Sequence, residues 1–137
     1  MDIKRLIPTA CFLLMQGCTS AQNQENMELT NFRSYALATC LGAAFKDPAV
    51  QSDFNKAANG YMERGHMPLE AYEELRAVNL TWLEKDYQSK HGGQVNSAKC
   101  FDLFKSPEVL DLYKKHDPCL SKNEWFDPNE MKESCAP

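Results

Sequence analysis

Several things are scarce in this chain of 137 residues, and each absence narrows its class. Isoleucine occurs only at Ile3 and Ile7, and alternating Val/Ile/Thr runs are missing, so nothing signals a β-sheet. No apolar run is long enough to span a bilayer: the longest, Leu6 to Met15, covers roughly ten residues, about half of what a spanning helix needs. There is no C-x-x-C pair and no histidine at zinc-finger spacing from a cysteine, which argues against a metal site. Glycine-rich phosphate loops, G-x-S-x-G and H-E-x-x-H are also lacking. A basic stripe is missing too. The formal net charge is −4, and Asp2, Lys4 and Arg5 near the N-terminus sum to +1, leaving −5 for the remainder. An acidic domain repels nucleic acid and suits a basic partner. No internal repeat or low-complexity segment is visible.

What is present begins with an export signal. Lys4 and Arg5 precede the apolar run, and Gly17, Cys18, Thr19, Ser20 and Ala21 follow it, which is the layout of a bacterial signal peptide over residues 1–21. Two processing sites compete. Leu14-Met15-Gln16-Gly17-Cys18 resembles a lipoprotein signal, with lipid attached at Cys18 and an outer-membrane anchor as the consequence. Met15 and Gln16 fit that pattern poorly. Thr19-Ser20-Ala21, cut before Gln22, would instead release a free periplasmic protein. Residues 22–30 are polar, without periodicity, and read as a tether. The single domain is then expected over 31–137.

Beyond the leader the chain holds Cys40, Cys100, Cys119 and Cys135, an even number that in an exported domain implies disulfides. Of the three possible pairings, Cys40–Cys100 with Cys119–Cys135 is favoured. The first pair joins two helical patterns and the second closes a short tail. Loop-closure entropy assigns about 4 kcal/mol to the long loop and about 3 kcal/mol to the short one.

Apolar spacing predicts an all-α fold, a compact bundle of about five helices. The first is expected over 31–46, capped by Thr30 or Asn31, with apolar residues so widely distributed that it should be central. Asp47-Pro48 ends it and starts a second over 48–64, which Gly65 should close as a left-handed cap. The third is predicted over 68–87, with Leu69, Tyr72, Leu75, Val78 and Trp82 in one stripe and Leu80, Leu83 and Tyr87 in another. Gln88 to Gln94 reads as a loop broken by Gly92 and Gly93. A fourth helix is expected over 96–105, and Ser106-Pro107 opens a short fifth. The tail from Cys119 should be irregular, with Trp125 and Phe126 plugging the core.

No reaction is legible, and no catalytic residue or cofactor is assigned. His66, His91 and His116 stand alone and read as surface residues. Glu70, Glu73, Glu74 and Glu84 fit a wet helix face better than two carboxylates across a cleft. A small exported domain without visible chemistry is a binding protein.

The runs Asn31 to Phe45, Ala57 to Gly65, Met67 to Glu73 and Lys99 to Leu103, in this order and after a signal peptide, resemble the type VI secretion amidase immunity proteins over roughly residues 31–113. The resemblance implies a periplasmic inhibitor of a papain-like peptidoglycan amidase that cuts the D-glutamyl–diaminopimelate bond. It implies a homodimer that binds the amidase as a heterotetramer. It further implies that the loop between the third and fourth helices blocks the enzyme's cleft, here Gln88, Ser89, Lys90, His91, Gly92, Gly93 and Gln94. Cys119, Cys135 and the tail fall outside the matching region. The rival readings are an inhibitor of another cell-wall enzyme such as a lysozyme, and a structural envelope lipoprotein.

Overall fold

A computed structural model describes residues 27–118 and residue 120. Five helices account for most of them: α1 (Met27–Ala44), α2 (Pro48–Arg64), α3 (Leu69–Leu83), α4 (Asn96–Phe104) and α5 (Pro107–Lys115). No strand occurs among the described residues. The Cys18, Cys119, Cys135, Trp125 and Phe126 assignments lie outside them.

Local chemistry sets most of the boundaries. Asp47 caps α2, its Oδ1 accepting from the N–H groups of Ala49 at 2.8 Å and Val50 at 3.1 Å, with Pro48 in the first turn where no N–H is needed. Ser106 and Pro107 repeat the device at α5, where Val109 N–H donates to Ser106 Oγ at 3.3 Å.

Helix α1 sits in the middle and touches each of the other four. It is apolar around most of its circumference, as a surrounded helix must be. Phe32, Ala36 and Cys40 are fully buried on it, with Tyr35 and Ala38 nearly so. Helices α3, α4 and α5 pack on one another and on α1, whereas α2 packs chiefly on α1. Phe32 meets Tyr72 of α3 and Tyr113 of α5 at centroid separations of 5.7 and 6.3 Å, and Tyr35 meets the edge of Tyr72 at 4.7 Å. The disulfide Cys40–Cys100 ties α4 to α1, with Cα atoms 5.6 Å apart.

The structure departs from the sequence reading in four places. First, α1 starts at Met27, so Thr30 and Asn31 lie inside it and do not cap it. The reason is Glu28, which is buried. Its carboxylate accepts the His66 backbone N–H at 2.7 Å and contacts His66 Nδ1 at 2.6 Å. That anchor lies 38 residues along the chain and leaves no local trace.

Second, Gly65 closes α2 in extended backbone, φ −91° and ψ 159°, not as a left-handed cap. A side chain there would collide with the Tyr72 hydroxyl, since a Cβ would lie 2.7 Å from that oxygen. Close approach, not positive φ, selects glycine. Third, His66 and His116 are not simple surface residues. Besides the Glu28 contact to His66, His116 Nε2 lies 3.1 Å from Glu74 Oε1, and Lys115 Nζ lies 2.7 Å from the same carboxylate. Hydrogen bonding from Lys115, with His116 contributing less, holds the Glu74 carboxyl below the usual range, and the cluster clamps α5 to α3. Fourth, α3 ends at Leu83, and Leu80 is exposed.

Replacing Glu28 with alanine should destabilise the domain by about 1–3 kcal/mol, because the His66 backbone N–H loses its acceptor and the His66 ring its partner beside a new cavity. Thermal unfolding followed by circular dichroism checks this. An unchanged midpoint would mean that the anchor contributes nothing.

Candidate functional site

The segment between α3 and α4 is built as a small hairpin. Helix α3 stops at Leu83, and the chain extends through Asp86 and Tyr87 before turning. Gln88 and Gln94 face each other in an isolated antiparallel bridge. Outside that bridge, Val95 N–H donates to Tyr87 O at 2.8 Å. Inside it, Ser89 N–H donates to Gly93 O at 2.9 Å and Gly92 N–H to Ser89 O at 3.0 Å. Gly92 and Gly93 have φ of +88° and +84°, a region that non-glycine residues rarely enter. Both are required for the turn to close.

Side chains brace the frame. Asp86 Oδ1 accepts from Gln88 Nε2 at 2.9 Å and Gln94 Nε2 at 2.6 Å, while Gln94 Oε1 accepts the Tyr87 N–H at 3.0 Å. Ser89 Oγ accepts the His91 N–H at 3.2 Å. At the foot, the Tyr87 hydroxyl donates to Asp102 Oδ2 of α4 at 3.0 Å. Partial burial, then that acceptor, raises the Tyr87 hydroxyl above the ordinary phenol range, so it remains the proton donor. Lys99 is buried on α4 and sends its Nζ to Leu83 O at 2.9 Å, placing a cation on the carbonyl end of α3. Its neighbour Cys100 carries the disulfide to α1. The loop's foot is thereby fixed to the core by an ion–dipole contact, a hydrogen bond and a covalent bond.

The seven loop residues expected from the sequence separate into two groups. Gln88, Ser89 and Gln94 spend their polar groups holding the hairpin. Lys90, His91, Gly92 and Gly93 form its exposed tip, where the Lys90 and His91 side chains bond to no other described residue. The tip is a basic point on an acidic domain. Sequence reasoning missed Asp86, Lys99 and Asp102 as supports and placed Tyr87 in a helix stripe. Their roles depend on partners across the turn, and only the Asp–Tyr run before the glycines hints at a loop foot.

Nothing else among the described residues suggests a reaction. The sulfurs of Cys40 and Cys100 are bonded to each other, so neither is a nucleophile. No group of three or more His, Cys, Asp or Glu side chains gathers to hold a metal among these residues. No helix among them is long and apolar enough to cross a membrane.

Fold and loop together define a class: a small helical domain, braced by a disulfide, that holds a hydrogen-bonded hairpin out to solvent. Residues 30–113 match the model of the Tai4 family, the type VI secretion system (T6SS) amidase immunity proteins, and the chain belongs to that family. It is an immunity protein by family and not an enzyme. Among solved structures, a chain of the effector–immunity system Tae4/Tai4 from Salmonella typhimurium shares 26% identity, with a TM-score of 0.61 over 64% of this chain and 87% of that one. A chain of the complex of Salmonella typhimurium Tae4 with Enterobacter cloacae Tai4 aligns at 19% identity and TM-score 0.59, covering 62% of this chain and 88% of that one. A chain of the Tae4–Tai4 complex from Enterobacter cloacae aligns at 19% and 0.59, covering 62% and 87%. These last two speak for the fold alone. No curated protein matches the chain.

Proposed function

We propose that this protein binds and inhibits a peptidoglycan amidase delivered by type VI secretion, and that the tip Lys90–Gly93 enters the enzyme's active-site cleft and shuts out substrate. The observation that carries the reading is the hairpin itself, closed by backbone bonds and two positive-φ glycines before any partner arrives. A preformed loop loses little freedom on docking, so its contacts appear as affinity. The two glycines expose backbone that can approach another surface closely. Membership of the T6SS amidase immunity family, and the 26% likeness to the Tae4/Tai4 effector–immunity system of Salmonella typhimurium, support the partner class.

The amidase in this reading cuts the D-glutamyl–diaminopimelate bond of the peptidoglycan stem. The leader at residues 1–21 takes the protein to the periplasm, where such an enzyme acts. Mass spectrometry of the mature N-terminus separates a lipid on Cys18 from cleavage before Gln22. Two copies associate and engage the effector as a heterotetramer.

The test is co-expression in a bacterium. An amidase from the adjacent reading frame, exported to the periplasm, should lyse cells, and this protein should restore growth. Lysis that continues despite periplasmic accumulation of both proteins would overturn the proposal.

A further inference from the structure

A second site lies on a different face. Helices α2 and α3 flank α1 and leave an open cleft of about 440 Å³ between them. Its lining is Tyr35 and Thr39 of α1, Asn55, Ala58 and Asn59 of α2, and Arg76 of α3. Arg76 is the only charged residue among them. Arg76, Asn55 and Asn59 are exposed to solvent, and Arg76 makes no ion pair or hydrogen bond with another described residue. Nor do the side-chain polar groups of Asn55, Asn59 and Tyr35 make a hydrogen bond to one. One more polar atom lies behind the cleft wall. Asn79 Nδ2 donates to Thr39 Oγ1 at 2.5 Å, while Asn79 Oδ1 is buried with no partner. Exposed polar side chains that converge on one cleft, without partners among the described residues, are open to a polar ligand.

We infer that this cleft binds a peptide carboxylate. The guanidinium matches a carboxylate as a two-toothed fork. The Asn55 and Asn59 carboxamides can each donate to and accept from a peptide group, and the Tyr35 hydroxyl offers a further donor. Ala58 and the Tyr35 ring supply an apolar floor for the ligand's carbon skeleton. Inorganic anions would leave the carboxamide acceptors unused. Two sources present this chemistry: an acidic segment of a partner protein, and a peptidoglycan stem fragment with its free carboxylates. The site stands apart from the hairpin, since Arg76 precedes the end of α3 by about 10 Å of helix rise, and the inference does not depend on amidase inhibition.

The test is ¹H–¹⁵N NMR titration of the mature full chain, following the Asn55 and Asn59 side-chain amides. The probes are the stem tripeptide L-Ala-γ-D-Glu-diaminopimelate, the dipeptide N-acetyl-Ala-Glu, and the uncharged N-acetyl-Ala-Gln amide. Saturable shifts are expected with a carboxylate probe, and about tenfold weaker binding with the uncharged one. Preference for the tripeptide identifies a wall fragment as the source, and preference for the dipeptide an acidic protein segment. Arg76→Gln should weaken binding about tenfold with little change in melting temperature, and Arg76→Lys by less. No saturable shift by roughly 10 mM of either carboxylate probe would overturn the proposal. So would equal binding of the uncharged peptide, or unaltered binding by Arg76→Gln.

Discussion

Exchanging Ser89–Gly93 for an equal-length Gly/Ser linker should reduce amidase inhibition by at least about 100-fold, equivalent to about 2.7 kcal/mol of binding free energy. Two effects act together. The substitution deletes the Lys90 and His91 side chains, the tip's two unbonded polar groups. It also abandons a preordered turn, and each freed residue that must be fixed again on binding opposes association by roughly 1–2 kcal/mol of backbone entropy. Some of this is offset, because the supports at Asp86, Gln88 and Gln94 remain. The fold should be indifferent, since the tip is exposed and contributes nothing to the core. Far-UV circular dichroism and the melting midpoint should match the parent, while inhibition titrated against purified amidase collapses. Equal inhibition by the linker variant would remove the hairpin from the mechanism.

The second large effect concerns stability. Removing the disulfide with the double substitution Cys40→Ala and Cys100→Ala should destabilise the domain by about 4 kcal/mol, the loop-closure entropy released across a sequence separation of 60. For a domain of this size each kcal/mol moves the melting midpoint by roughly 4–8 °C, so a fall of roughly 15–30 °C is expected. Both sulfurs are fully buried, and the vacated space adds to the loss. Reductant should lower the midpoint of the unsubstituted protein at least as far, since it would open Cys119–Cys135 as well. A variant melting within a few degrees of the parent would show that packing of α4 on α1 suffices without the bond. Because Cys100 adjoins Lys99 beneath the hairpin, inhibition should fade at lower temperature in the variant as well.

How much of this was legible in advance differs from residue to residue. Helix starts at Asp47-Pro48 and Ser106-Pro107 are written in adjacent side chains, because a cap bonds to N–H groups two or three residues away. The loop at Gly92-Gly93 is legible for the same reason, and so is the family resemblance that pointed to it. The end of α3 is not legible in the same way. Leu83 and Tyr87 continue an apolar period, but beyond Leu83 the chain satisfies its backbone through Gln94 and Val95. Glu28 reads as part of a tether because its partner, His66, lies 38 residues away, beyond α2. Gly65 was recognised as a helix stop, but its backbone follows from the Tyr72 hydroxyl, which no local pattern encodes.

The sequence by itself therefore determined what short-range chemistry controls: the helical class, the helix starts at Asp47 and Ser106, and the turn at the glycines. It also supplies the scarcity of sheet and catalytic motifs that favours binding, and the even cysteine count that favours Cys40–Cys100 among three pairings. Only the tertiary structure decided that Cys40 and Cys100 meet, that the loop is a braced hairpin with Lys90 and His91 at its tip, and that Arg76 stands unpaired in a cleft beside Asn55 and Asn59. The physical reason is distance along the chain. A cap or a turn is settled between near neighbours, whereas these arrangements join groups on different elements, brought together only when α1 is buried at the centre.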